Sequence, residues 1–394
     1  MQNQVIGLPL VLLALVSMPA WSQRSDKLLE LVPAFKSLEV SPDRHIAFRM
    51  FAPKAQQVSV FSTDLFGAAL KSDMTKADNG VWEITIGPID PGAYRYNFAI
   101  DTAAVMDSRV PAVSESNDNT WNMVYVPGAD FMETKDVPHG AVASVTYFSK
   151  SLNKFRRMHV YTPPGYETSS QKYPVFYLLH GAGDSDDSWT SVGRAGFIID
   201  NLIAAGKAKP MVIVMPAGHT GPFNLSAPAS GAPRSLDFND DFVKDFVNDI
   251  MPYAETHYRV FRDRQHRAIA GLSMGGAHTL NIAVPHPDEF AYVGVFSSGI
   301  IGILPLNGPV SAPAAGQSWE QQHATELDNP AGKKDWKLFW FSTGKDDFLL
   351  NTSKATVDLF QKHGYHPLFQ ESAGAHTWTN WREYLNQFAP QLFQ

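Results

Sequence analysis

The chain has 394 residues, of which 44% are hydrophobic, 12% aromatic and 18% charged, with a net charge of −7 and no cysteine. Its length exceeds one average domain, so two domains are the starting expectation, and a charged share below the usual value of about 25% argues against disorder. The negative balance, with no block of like charges, argues against nucleic acid and anionic membranes as partners, while the lack of cysteine excludes disulfides, thiolate catalysis and zinc–cysteine sites.

Residues 1–22 carry no charged side chain. The run "VIGLPLVLLALVSM" is short of the ~20 apolar residues that span a bilayer, and the small residues Ala20 and Ser22 follow it two apart, as signal peptidase requires. The stretch predicts a cleaved export signal. The mature protein is then expected in a bacterial periplasm or secreted, with no membrane attachment after cleavage.

Residues 28–128 predict a small all-β, immunoglobulin-like sandwich. "HIAFRMFAPKAQQVSVFST", "GVWEITIGP" and "GAYRYNFAID" alternate apolar and polar residues and are separated by glycine or proline. In "YRYNFAI" the alternation puts Tyr94, Tyr96 and Phe98 on one face and Arg95 and Asn97 on the other. Residues 129–141 read as the connection to a second domain.

From residue 142 to 394 the texture changes. "PVFYLLH" and "MVIVMP" are buried-strand material, and helical segments lie between such runs. "DDFVKDFVNDIMPY" spaces Phe242, Phe246 and Ile250 four apart, the apolar stripe of an amphipathic helix. Strand–helix alternation implies a mostly parallel sheet covered by helices on both faces.

The segment "HRAIAGLSMGGAHTLNIAV" carries the chemistry. Gly271-Leu272-Ser273-Met274-Gly275 fits G-x-S-x-G between a predicted strand and a predicted helix that Pro285 ends. That context is what a nucleophile elbow at the edge of such a parallel sheet requires. A serine hydroxyl needs a base and a carboxylate to orient that base. In this fold the carboxylate and then the histidine follow the serine in the chain. Asp346 and Asp347 lie on the turn after a strand predicted from Lys337 to Phe341, and either one suits the acid. His376 lies in the loop after the last predicted strand. All of these positions fall at strand C-terminal ends, where ligands bind in such sheets.

Stabilising an oxyanion takes two preorganised N–H donors. Met274, next to the serine, is one. The loop His180-Gly181-Ala182-Gly183 after an early strand offers Ala182 or Gly181 as the other, with His180 as a structural residue holding that loop. Trp189, Phe223, Trp378 and Trp381 lie in segments expected near the site and are candidates to stack an aromatic acyl group or a sugar. Hydrolysis by such a set calls for no cofactor and no metal.

"LLHGAGDSDDSW", "GLSMGGAHTLNIAVPHPDEFAYVGVFSSGI", "TGKDDFLL" and "GAHTWTNWREYL" resemble the esterase-D-type branch of α/β-hydrolases, and within it the family-1 carbohydrate esterases, which comprise feruloyl and acetyl-xylan esterases. The resemblance implies Asp347 as the acid and feruloyl or acetyl esters of plant polysaccharide such as xylan as substrates. "VWEITIGPIDPGAYRYNFAID" and "VMDSRVP" resemble the family-48 carbohydrate-binding module, although Asp101-Thr102-Ala103 stands where an Asp-Gly turn is common. That domain is expected to bind xylan weakly or to shape the rim of the active site. The alternatives are a siderophore esterase of the enterochelin type and a non-catalytic glycan-binding protein on an esterase fold. The oligomeric state has no signature in the sequence.

Overall fold

The computed structural model describes residues 32–66, 70–221, 234–235, 240–304, 310–311, 318–329, 333 and 336–394. The predicted export signal at 1–22 and the candidate contact Phe223 lie outside the described residues. Among the described residues no helix is long and apolar enough to cross a membrane.

Residues 38–126 form two packed antiparallel sheets. One has four strands, ordered Leu38–Val40, Ile46–Phe51, Val81–Ile86 and Thr75–Lys76. The other runs Lys71–Asp73, Val58–Phe61, Gly92–Ile100, Thr120–Val126 and Val113–Glu115, with Ala103–Val105 also paired to Gly92–Ile100. Alternation sends Ile46, Phe48, Val58, Val60, Tyr96 and Phe98 into the shared core, where they are fully or almost fully buried.

The second domain is built on one eight-stranded sheet. Its strands, numbered within it, are β1 (Ala141–Ser149), β2 (Lys154–Thr162), β3 (Val175–Leu179), β4 (Val212–Pro216), β5 (Arg267–Leu272), β6 (Tyr292–Phe296), β7 (Leu338–Gly344) and β8 (Leu368–Ser372). Their spatial order is β1-β2-β4-β3-β5-β6-β7-β8. β2 pairs antiparallel to both its neighbours, and every pairing from β4 to β8 is parallel. The central strands are buried along their whole length, because helices cover both faces and water reaches neither.

The helical segment predicted around Phe242 runs as Asp240–Asp245, a π turn over Phe246–Ile250, and Met251–His257. Phe242, Phe246 and Ile250 all bury in one core beneath β3 and β5. A second core on the opposite face packs the helices Ala195–Ala204 and Trp378–Phe388.

The connection between the domains is packed against the second domain. Met132 is buried, Arg194 Nε donates to its carbonyl at 2.9 Å, and Asn201 Nδ2 donates to the carbonyls of Phe131 and Glu133. Gly140 N–H and Tyr161 Oη–H both donate to Asp200. These bonds tie the segment to helix Ala195–Ala204, and it is no free linker.

Candidate active site

The elbow is built by close backbone approach. Strand β5 ends at Leu272, Ser273 takes φ +72° and ψ −109°, and helix Met274–Ala283 begins at once. A side chain with φ in this region is strained, and two glycines make the turn feasible. A Cβ on Gly271 would lie 2.3 Å from the carbonyl carbon of Gly275, and one on Gly275 would lie 2.6 Å from the carbonyl oxygen of His180. The strained turn lifts Ser273 Oγ out at the C-terminal edge of the sheet.

Two more loops at that edge converge on it. His376 Nε2 lies 3.0 Å from Ser273 Oγ. His376 Nδ1 lies 3.0 Å from each carboxylate oxygen of Asp347. With Nδ1 protonated and donating to the carboxylate, Nε2 is the acceptor for the serine hydroxyl. Burial by itself would raise the Asp347 pKa. The bond from His376 and the N–H of Leu349, 2.8 Å from Oδ1, outweigh it and hold the carboxyl below its ordinary value. Asp346 is exposed and its own N–H donates to the Gly374 carbonyl, so geometry separates the two aspartates that the sequence left as alternatives. Phe348 and Trp381 flank the imidazole, with ring centroids 4.5 and 5.0 Å from it.

The loop after β3 crosses next to the serine. Leu272 Cδ1 and Ser273 Cβ lie 2.5 and 3.4 Å from where a Gly181 Cβ would stand, so any larger residue there would press on the elbow. Two histidines clasp this loop to the one after β4. His180 Nε2 accepts the N–H of Gly218 at 2.7 Å, and His219 Nε2 accepts the N–H of Gly183 at 3.0 Å. Both must be neutral at Nε2 to accept. Burial depresses the pKa of each, and that of His219 is pushed down to about 3. The sequence pointed to His180 as the loop's support but contained no signal for His219, whose partner lies 36 residues away.

Serine and histidine open into a cavity of about 440 Å³. Trp378 and Trp381 line it, as do Gly181 and Ala182. Trp189 does not. It is 0% exposed, donates its indole N–H to the Leu179 carbonyl and packs edge-on against Trp378. The expectation that Trp189 contacts substrate is thus corrected: strand β3 offers it a carbonyl and the core offers it apolar walls, and it supports Trp378 from behind. The opposite wall comes from the sandwich domain, through Phe61, Tyr94, Arg95, Ser116, Asn119 and Trp121. Phe61 and Trp121 are stacked at 5.6 Å with an interplanar angle of 18°. The sequence marks none of them as a site residue, although its alternation assigns Tyr94 and Arg95 to opposite faces of one strand.

An eight-stranded sheet of this order, entered by a strained serine turn at its C-terminal edge, defines an α/β-hydrolase. Residues 149–392 match the model of the esterase family, described as "Putative esterase", and residues 37–114 match carbohydrate-binding module 48, the isoamylase N-terminal domain. The first match takes in more than half of the chain, and the protein belongs to the esterase family. An endo-1,4-beta-xylanase/feruloyl esterase of Xylanibacter ruminicola is 35% identical over 269 residues, covering 66% of this chain. The alignment covers 36% of that relative, so the chain spans well under half of its length. The CE1 ferulic acid esterase of Anaeromyces mucronatus, solved with ferulic acid, is similar at 25% identity and a TM-score of 0.57, covering 68% of this chain and 96% of that one. The enterobactin esterase of Shigella flexneri shares the fold over both domains, with a TM-score of 0.59 at 16% identity, covering 89% of this chain and 93% of that one.

Proposed function

We propose that the protein is a serine carboxylic ester hydrolase that removes feruloyl or acetyl groups from plant cell-wall polysaccharide such as xylan. The observation that carries this is the relay Ser273–His376–Asp347, with 3.0 Å at each link, opening into an aromatic-walled cavity. His376 Nε2 takes the hydroxyl proton as Ser273 Oγ attacks the ester carbonyl, and Asp347 stabilises the imidazolium that results. The N–H groups of Met274 and Ala182, or of Gly181 in place of Ala182, receive the negative charge on the carbonyl oxygen. The bond to the sugar oxygen then breaks, and His376 returns its proton to that oxygen. Water attacks the acyl-enzyme with His376 as base, the acid is released and Ser273 regains its proton. None of these steps calls for a cofactor.

The aromatic residues Phe61, Trp121, Trp378 and Trp381 suit a planar hydroxycinnamoyl ring or the face of a pyranose. A siderophore ester, rich in catechol oxygens, calls for a cationic pocket. Here Asp64, Asp118 and Asp184 more than offset Arg95 and Arg382 in the lining, which favours the polysaccharide ester. An intact relay argues likewise against a purely glycan-binding role. Export by residues 1–22 fits a polymeric substrate outside the cell.

The test is to compare turnover of methyl ferulate, acetylated xylan and enterobactin under one set of conditions, with Ser273→Ala alongside. The reading expects hydrolysis of one or both of the first two and a loss of kcat of about 10⁴-fold or more in the variant. Enterobactin as the preferred substrate, or substantial turnover by Ser273→Ala, overturns it.

A further inference from the structure

A strand of the sandwich domain sends a charged side chain into the hydrolase. Arg95, on Gly92–Ile100, is buried between Asp64 of its own domain and Asp184 of the loop after β3. Its Nη1 donates to Asp184 Oδ1 at 2.7 Å and its Nε to Asp64 Oδ2 at 3.2 Å. A buried arginine is tolerated when carboxylates occupy its donors, and the two aspartates hold its pKa above the ordinary value despite burial.

Asp184 lies two residues past Ala182, on the same tight turn: its N–H donates to the Gly181 carbonyl at 3.2 Å. The sandwich grips this turn along its length. Asn117 N–H donates to the Gly183 carbonyl at 3.0 Å, Ser116 pairs with Asp184 as an isolated antiparallel bridge, and Glu115 N–H donates to Asp187 Oδ2 at 2.9 Å. Both polar groups of the Gly183 backbone are therefore used, the N–H by His219 and the carbonyl by the sandwich. The grip extends to the other side of the cavity. Arg382, on the helix that follows His376, is almost fully buried and donates to the carbonyls of Ala93 and Val192 at 3.1 and 2.9 Å.

We propose that Arg95 is a positioning residue for the oxyanion loop: through Asp184 the sandwich domain holds the Gly181–Ala182 amides in register with Ser273. This rests on the assignment of Ser273 as nucleophile. The physical reason is that amide donors stabilise a developing oxyanion only if they are already oriented when the charge appears. A loop free to shift by an ångström loses that advantage while still admitting substrate. The N-terminal domain then contributes to kcat, even for an ester too small to touch its aromatic wall.

The experiment uses the full chain and p-nitrophenyl acetate. Arg95→Lys keeps the charge but, as a point charge on a flexible stem, cannot span both carboxylates. Arg95→Met with Asp184→Asn removes the link and leaves Asp64 as the one unpaired carboxylate. Positioning predicts that kcat falls about 10-fold to 100-fold in both variants, with KM within about twofold. Affinity for a boronic acid that forms a tetrahedral adduct with Ser273 falls by the same factor, and Arg95→Lys keeps the wild-type melting temperature to within a few degrees. A wild-type kcat in the folded variants, or a loss confined to KM, overturns the proposal. If the double variant fails to fold, Arg95→Lys decides alone. Ser273→Ala run in parallel separates the two hypotheses: turnover by that variant refutes the nucleophile, whereas a dead Ser273→Ala beside fully active Arg95 variants refutes only the positioning role.

Discussion

His219 Nε2 accepts the N–H of Gly183 at 3.0 Å, while His180 Nε2, on the same side of the sheet, accepts the N–H of Gly218 at 2.7 Å. Each loop thus supplies a histidine to the other. Removing the His219 acceptor leaves the Gly183 N–H without its partner next to the proposed oxyanion donor. His219→Phe is expected to lower kcat roughly tenfold to a hundredfold, the cost of stranding a partly buried donor, with KM little changed. His219→Gln, which presents an amide oxygen at a similar reach, is expected to restore most of it. Steady-state kinetics on p-nitrophenyl acetate for both variants checks this, and equal losses in the two would contradict it.

The adjacent aspartates make a sharper comparison. Asp347 receives His376 Nδ1–H at both oxygens, whereas the Asp346 side chain is on the surface. Asp347→Asn is expected to lower kcat by about 10⁴-fold, because an amide no longer enforces the productive imidazole tautomer. Asp346→Asn should stay within about threefold of the parent, in line with an exposed substitution.

The stacked Phe61 and Trp121 belong to the cavity wall that the sandwich domain supplies. Trp121→Ala is expected to raise KM for a feruloylated oligosaccharide about tenfold, from the loss of about 1–1.5 kcal/mol of aromatic contact. The rise on p-nitrophenyl acetate should be smaller. Equal changes on both substrates would show that the tryptophan only supports the sandwich fold.

Buried histidines set the acid limit of the fold. His219 and His278 are held neutral, chiefly by burial, with pKa values pushed down to about 3 from 6.5. Between those values the unfolded chain binds more protons than the folded one, so stability rises with pH. Their contribution is complete above about pH 6.5 and is lost as pH falls toward 3. Asp186 and Asp347, both held below 3.8, add to the loss only under about pH 4. His139, raised by its bond to Asp200, acts in the opposite sense from an exposed position. The melting temperature should therefore fall steadily from pH 6.5 to 4.5, and His278→Gln should flatten that slope. A flat profile in the parent protein over this range would contradict the assignment.

Much of the architecture was legible in local pattern. Alternation in "YRYNFAI" and the apolar runs of β3 and β4 became strands, and the four-residue spacing of Phe242, Phe246 and Ile250 became a helix with a π turn over Phe246–Ile250. The elbow was legible for the same reason: a serine between glycines, after a strand and before a helix, is a local backbone event.

What the chain by itself could not decide was which distant segment covers a given face, within a domain or between the two. Alternation put Arg95 on the face opposite Tyr94, Tyr96 and Phe98, where a lone sandwich would expose it, yet it is buried against Asp184 of the second domain. Trp189 and Trp378 look alike in sequence, but one is sealed behind the other. The choice between Asp346 and Asp347 turned on which carboxylate faces an imidazole 29 residues later. Periodicity carries information about which side of its own strand or helix a residue occupies. Which surface then covers that side depends on contacts between residues far apart in the chain, and these exist only once the chain has folded.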